Sequence, residues 1–392
     1  MTERADAVIV GGGVVGASIA YHLTREGLRD VLIIERATRQ GAGSTGRATG
    51  GVRAQFETEL NVRLSAHSID FFARFRELTG ADCGYRAVGY LFFATSEEVL
   101  ARLEAGRALQ RAAGLLNVRL VTRDEIGEMI PQMRLDDVLG GTFCPTDGLI
   151  EPTAVMRGLT EAAVRGGARL RTDARVTGVE TESGRVVAVE TSRGRVSTRV
   201  VVNAAGAWAA EVASLAGLKL PIVPLRRQLA CVEGFGGMKE TLPMVIDAGT
   251  GFHFRRVERA GRAAGLLLAW PDPSETPGFG DDFTDDFAAK VTALARGRVP
   301  SLGGAALDRS LCRAGLYEMT PDRQAILGES PAPRGLFLAC GFSGHGVMHA
   351  PATGRIIADL VTRGRTELVD IGPLAVERFA DGSRLDIEHA LL

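Results

Sequence analysis

The chain has 392 residues, too many for one small core, so two domains or one domain with a large insertion are expected. A formal net charge of −1 excludes a bulk electrostatic pull toward nucleic acid or an anionic membrane. With 45% hydrophobic and 24% charged residues the chain reads as globular rather than disordered.

The charged stretch Met1–Asp6 runs straight into an apolar one, which leaves no room for a signal peptide and predicts a cytoplasmic protein. No stretch reaches the roughly 18–20 apolar residues of a membrane span. Ala7–Val10 is a short apolar strand ending in glycines, and Val31–Glu35 ("VLIIE") is a second. Between them "VVGASIAYHLTREG" has helical spacing and ends at Gly27, a C-cap glycine. Strand, glycine turn, helix and strand make a βαβ unit. "RQGAGSTGRATGGVR" (39–53) is a loop dense in Gly, Ser, Thr and Arg, and a helix is expected over Glu57–Leu78. Residues 85–145 and 220–315 mix runs such as "GYLFFAT" and "GLLLAW" with loops, which predicts an antiparallel sheet with local helices. Residues 151–208 read as helix, strand, hairpin and the strand Val200–Asn203. "GLFLACG" (335–341) is followed by a glycine-rich turn and a helix near Ala352–Thr362. The chain thus passes between two parts several times. The five cysteines, Cys83, Cys144, Cys231, Cys312 and Cys340, show no C-x-x-C pair and read as buried reduced thiols.

Gly11, Gly13 and Gly16 fit G-x-G-x-x-G between a strand and a helix. The first glycine permits the turn, the second admits a pyrophosphate, and the third lets helix and strand pack closely. Glu35 ends the second strand at the offset expected for a ribose-binding carboxylate, and together these predict a dinucleotide site. Ala204, Ala205 and Gly206 end a later strand with small residues, and "GFSGHGVMHAPATG" (341–354) leads glycine-rich backbone into a helix N-terminus. Such a terminus stabilises negative charge on a reduced flavin ring.

The set VIVGGGVVG with Glu35, GSTGRATGGVR, DGLIEPTAV (147–155), VVNAAGAW, GLYEMTPDRQAILG (315–328) and CGFSGHGVMHAPATG resembles the D-amino-acid oxidase (DAO) superfamily of FAD enzymes. Within it the chain is most similar to the branch of the sarcosine oxidase β-subunit, dimethylglycine dehydrogenase and the L-proline dehydrogenase β-subunit. The resemblance implies an α/β fold: a discontinuous Rossmann-type FAD-binding domain (1–84, 146–216, 316–392) with an inserted sheet-rich substrate-binding domain (85–145, 217–315). It implies FAD contacts at Gly11, Gly13, Val14, Val15 and Gly16, and at Glu35 and Arg36. Ser44, Thr45, Gly46, Arg47, Gly50 and Gly51 of the loop, with Val176, would add to these. So would Ala204, Ala205, Gly206 and Trp208, then Gly315, Gly341, Ser343, Gly344, His345, Gly346, Val347 and Met348. Arg47 is expected on the pyrophosphate. Arg53, His253, Tyr317, His345 and Met348 are the candidate catalytic residues, and Gln228 of "RRQ" is a candidate for pointing into the pocket.

The chain departs from the family pattern in four places. Tyr317 stands where the D-amino-acid and glycine oxidases have a carboxylate-binding Arg, which weakens that reading. Gly315 stands where monomeric sarcosine oxidase has its flavin-linking Cys, so the FAD is expected to be non-covalent. Met348 replaces a carboxylate-binding Lys. His253 falls near the position of the Lys that promotes reaction with oxygen, and a His does this only when protonated. Either oxygen or an electron-acceptor partner is therefore open. His345 and His349 have i, i+4 spacing without H-E-x-x-H or a third ligand nearby, so no metal is expected.

The implied activity is oxidation of the C–N bond of a secondary or N-methylated amino acid of the sarcosine, dimethylglycine or proline type, with possible partner subunits. The alternatives are a D-amino-acid or glycine oxidase and, from another class, an FAD-binding assembly or scaffold protein with little turnover.

Overall fold

A computed structural model describes residues 3–233, 238–259 and 262–380. Met1, Thr2 and 381–392, which the sequence places at the two ends of the FAD-binding part, lie outside the described residues.

The opening βαβ unit forms as its pattern predicts, with β1 (Ala7–Val10), α1 (Val14–Arg25) and β2 (Val31–Ile34). Both strands are buried on both faces, which is why they read as continuous apolar runs rather than alternating ones. Ala7 and Ile9 join the core under α1, while Val8 and Val10 join a second core on the opposite face. The helix expected over Glu57–Leu78 is α2 (Glu59–Ala73), capped by the Thr58 hydroxyl on the Asn61 amide. It breaks at Arg74, and the short turn Phe75–Thr79 ends at Gly80 in the left-handed region, φ 78°.

A six-stranded sheet runs in the order Ile326–Glu329, Leu336–Cys340, β3 (Val201–Asn203), β1, β2, Arg169–Arg171. All pairs are parallel except the edge pair Ile326–Glu329 with Leu336–Cys340. The carboxyl ends of β1, β2 and β3 therefore open on one edge, the place where sheets of this type take ligands. The predicted hairpin is Val176–Glu182 with Arg185–Thr191 in a separate four-stranded sheet.

An eight-stranded sheet gathers the segments between. Its order begins Arg313–Met319, Val223–Val232, Arg262–Ala269, His253–Arg259 and continues Met244–Asp247, Tyr90–Ala94, Gly140–Cys144, Arg119–Val121. We label Val223–Val232 β4 and Arg313–Met319 β5. The sheet is mixed rather than antiparallel throughout, because Tyr90–Ala94 pairs parallel with Met244–Asp247. Those two strands come from separate stretches of chain, so no hairpin ties them and nothing imposes the antiparallel sense. Alternation along β4 divides its side chains. Ala230 and Val232 join a core with Phe287, Val291 and Ala295 of the helix Asp285–Arg298, while Leu229 and Cys231 pack with Leu267 and Ala269 on the other face.

The last long helix, α3 (Gly346–Arg363), starts six residues before the expected Ala352. Gly346 and Pro351 make its first turns look like loop, yet the helix runs through Pro351. It crosses α1 at Gly354, where a Cβ would lie 2.3 Å from Ser18 Oγ.

Candidate cofactor and substrate cavity

The cavity between the two sheets has a volume of about 620 Å³, within the range for small-molecule and cofactor sites. Gly11, Gly13, Val14, Val15, Glu35 and Arg36 line it from the carboxyl ends of β1 and β2. The loop contributes Ser44, Thr45, Arg47, Gly50 and Gly51, and Val176 comes from the hairpin sheet. Ala204, Ala205, Gly206 and Trp208 line it after β3, Gly315 and Tyr317 from β5, and Gly344, Gly346, Val347 and Met348 around the start of α3.

Gly16, Gly46, Gly341, Ser343 and His345 stand behind the lining. For the first two the reason is steric. A Cβ on Gly16 would lie 2.0 Å from the Gly11 carbonyl oxygen, and one on Gly46 2.2 Å from that of Gly41, so both let backbone close on backbone. Gly341 (φ 73°) and Ser343 (φ 50°) shape the turn, and Ser343 Oγ accepts from the Thr320 amide at 3.1 Å. The His345 ring packs edge-on against Phe56 at 5.0 Å, and burial holds it well below the usual histidine range. His349 accepts or donates at 2.9 Å with Ser65 Oγ and is pushed down to about 3 by burial.

Arg53 and His253 also lie behind the lining. The Arg53 side chain is fully buried, its guanidinium 4.4 Å from the Phe56 ring centroid and 5.4 Å from that of Phe92. The Asp147 carboxylate accepts from the Ala54 amide at 2.8 Å and from Gln55 at 3.0 Å, and burial pushes it up to about 6. His253 Nδ1 meets the Gly251 carbonyl at 2.9 Å, and burial pushes the ring down to about 4. At neutral pH it carries no charge.

Several lining residues were not singled out from sequence. Glu318 accepts from the Gly341 amide at 2.9 Å, and burial pushes it up to about 7. Asp281 pairs with Arg47, whose guanidinium also donates to the Ala314 carbonyl at 3.0 Å. Arg47 therefore lines the cavity with its charge directed at Asp281. Phe279 stacks on Trp208 at 5.6 Å, and the Arg36 guanidinium covers the same indole at 3.5 Å. Gln228 does not face the cavity. Its amide donates to Glu275 at 2.6 Å and to Thr284 at 3.3 Å on the opposite face of β4, and its neighbour Arg227 lines the cavity instead. Strand alternation alone carries the choice, and one residue of error reverses it.

The donor set fits a dinucleotide. Glu35 accepts from the Gly12 amide at 3.0 Å and the Ala37 amide at 2.8 Å, which leaves carboxylate lone pairs for ribose hydroxyls. Helix α1 follows Gly13, which has no side chain to cap it, and carries no acid in its first turn; the Val14 amide is taken by Thr45 Oγ1 at 3.1 Å, and the positive end of the helix faces the cavity that takes the phosphates. At Gly206, φ 57°, a Cβ would meet nothing within 4 Å, which leaves room against the cavity wall. Helix α3 likewise starts without a side-chain cap or a first-turn acid, and Gly346–Met348 face the cavity.

The fold and this donor set define a dinucleotide-binding α/β protein with a second sheet closing over the cofactor edge. The chain belongs to the DAO family of FAD dependent oxidoreductases, which residues 6–360 match. Its cofactor is FAD. It is 31% identical over 377 residues to the mitochondrial sarcosine dehydrogenase of Mus musculus, covering 94% of this chain and 40% of that protein. It is 30% identical to FAD-dependent oxidoreductase domain-containing protein 1 of Bos taurus, covering 100% of this chain and 87% of the other. Among solved structures it is similar to L-proline dehydrogenase from P. horikoshii, with a TM-score of 0.90, 29% identity, and coverage of 98% of this chain and 100% of that one. The chain thus spans well under half of the sarcosine dehydrogenase it resembles. No helix among the described residues is long and apolar enough to cross a membrane.

Proposed function

We propose that the chain oxidises the C–N bond of a secondary or N-methylated amino acid of the sarcosine, dimethylglycine or proline type. The observation that carries this reading is the single cavity that runs from the Gly11–Glu35 turn to Arg227, Tyr317 and Met348 between the two sheets. The names of the sarcosine and proline dehydrogenases it resembles support the substrate class.

Bound FAD supplies the hydride acceptor for the carbon next to the substrate nitrogen. The protein's work is to hold that carbon in place, exclude water and keep the amine neutral. An apolar wall of Leu229, Val347 and Met348 disfavours an ammonium ion, and a nearby guanidinium disfavours it further. We assign the FAD as non-covalent, since Gly315 offers no nucleophile and Cys312 does not line the cavity. We place the cofactor on the six-stranded sheet and the substrate against the eight-stranded one. His253, held uncharged by burial, does not itself supply the cation that would favour oxygen, which supports a dehydrogenase that passes electrons to a partner.

The experiment is anaerobic mixing of the flavin-loaded protein with N-methylated, cyclic and primary amino acids, followed by product analysis. The reading predicts formaldehyde from N-methyl substrates or a cyclic imine from proline. Ammonia from glycine or D-alanine alone would transfer the assignment to the primary-amine oxidases.

A further inference from the structure

We propose that Arg227 binds the carboxylate of the amine substrate. This rests on the function proposed above.

The argument begins with the face of a strand. In β4, Arg226 and Gln228 point to one side, where Arg226 Nε reaches Glu275 at 2.8 Å and Gln228 reaches it at 2.6 Å. Glu275 is thereby occupied by the residues on either side of Arg227. Arg227, opposite Gly315 in the register with β5, points to the other side with Leu229 and Tyr317, and all four residues line the cavity. A Cβ on Gly315 would lie 3.1 Å from Arg47 Cβ, and Tyr317 offers its ring 5.7 Å from the Arg227 guanidinium carbon.

Glu275, already bonded to Arg226 and Gln228, and Asp272 stabilise the Arg227 charge only at longer range. Among the described residues no carboxylate lies within ion-pair distance of Arg227, and its Nη1 donates to the Arg226 carbonyl at 3.1 Å. Its Nε is buried and without a hydrogen-bond partner. A buried donor on a charged group left unsatisfied is costly, and an arginine fork matches a carboxylate with two parallel bonds. The other arginines on the lining differ. Arg47 is paired with Asp281, Arg36 lies over Trp208, and Arg175 stands beside the hairpin sheet near Arg36. Arg227 is the lining cation that shares its wall with Tyr317, and Met348 of α3 lines the same cavity; these two residues occupy the positions where the resemblance expects a charged clamp and this chain has none.

The test uses the flavin-loaded protein and two probes, pyrrole-2-carboxylate and its neutral carboxamide. Both are flat stand-ins for a cyclic amino acid, and neither has a saturated carbon to oxidise. Binding is read from the shift of the flavin absorption band and, independently, by calorimetry. Arg227→Met is expected to weaken the carboxylate roughly 30- to 4000-fold, the range for truncating one partner of a buried charge pair, and to leave the carboxamide within a few-fold. Arg227→Lys keeps the charge without the fork and is expected to fall between. If Arg227→Met does not retain flavin, the lysine variant carries the test, with selective weakening of the carboxylate expected. Equal affinity for the carboxylate in variant and parent, or equal weakening of both probes, overturns the assignment while leaving amine oxidation standing. A parent protein that binds neither probe also overturns it, and flavin reduction by the amino-acid panel then decides the proposed function separately.

Discussion

Gly13 is the residue on which the cofactor end turns. A Cβ there would lie 3.2 Å from Thr45 Oγ1, which accepts from the Val14 amide at 3.1 Å, so a branched side chain must either move Thr45 or project into the cavity. Gly13→Val is therefore expected to purify as a folded but nearly colourless protein, checked by the flavin-to-protein absorbance ratio. Full flavin in that variant would remove the turn from the site. At this scale the sequence is informative where chemistry is local. Gly11, Gly13 and Glu35 announce themselves because a turn, a helix start and a strand end fall within one short unit. Arg227 does not. Its role depends on which face of β4 meets the cavity, and that is set by pairing with the distant β5. Arg53 and His253, candidates by residue type, are both buried behind the wall, the first over the Phe56 ring and the second held uncharged.

Among the elements, the crossing of α1 and α3 holds the two helix starts that face the cavity at a fixed spacing. Gly354 makes the crossing possible. An alanine there gains about 1 kcal/mol of helix propensity but would place its Cβ 2.6 Å from His22 Nδ1 and 2.7 Å from the Ser18 carbonyl carbon. The second contact is backbone and cannot swing aside, so overpacking wins. Gly354→Ala is expected to lose about 1–3 kcal/mol in chemical denaturation, with a lower Tm. An unchanged or raised Tm would show that the crossing tolerates the extra volume. The extent of α3 was legible only in part. Periodicity predicts its later turns, whereas Gly346 and Pro351 conceal the first ones that reach the cavity. The break at Arg74 between α2 and the following turn also escapes a periodicity that continues through Phe72 and Phe75.

Taken whole, the molecule buries several histidines in neutral form. Burial pushes His22 and His253 down to about 4 and His349 to about 3, and holds His345 well below its ordinary value. Unfolding lets all four bind protons below about pH 6.5, so the unfolded state takes up more protons and stability falls as pH drops. Asp147 and Glu318 act the other way, since burial raises them to about 6 and about 7 and they hold protons in the folded state. Four histidines outweigh two carboxyls, and a net slope of order 2 kcal/mol per pH unit is expected between about pH 6.5 and 5. Tm measured across that window should fall steeply toward acid, and a flat or rising profile would contradict it. The alternation between two sheets was visible as a change of pattern along the chain. The pairing of Tyr90–Ala94 with Met244–Asp247 was not, because no local signal fixes the partner of a strand whose hairpin is absent.

The central claim is that one cavity between the sheets brings an amino-acid C–N bond to FAD. It is tested most directly by the flavin absorption band on anaerobic mixing with sarcosine, dimethylglycine, L- and D-proline, glycine and D-alanine. The account predicts bleaching by an N-methylated or cyclic member of the panel and not by glycine or D-alanine. An unbleached band with every member, in protein shown to hold FAD, would contradict it.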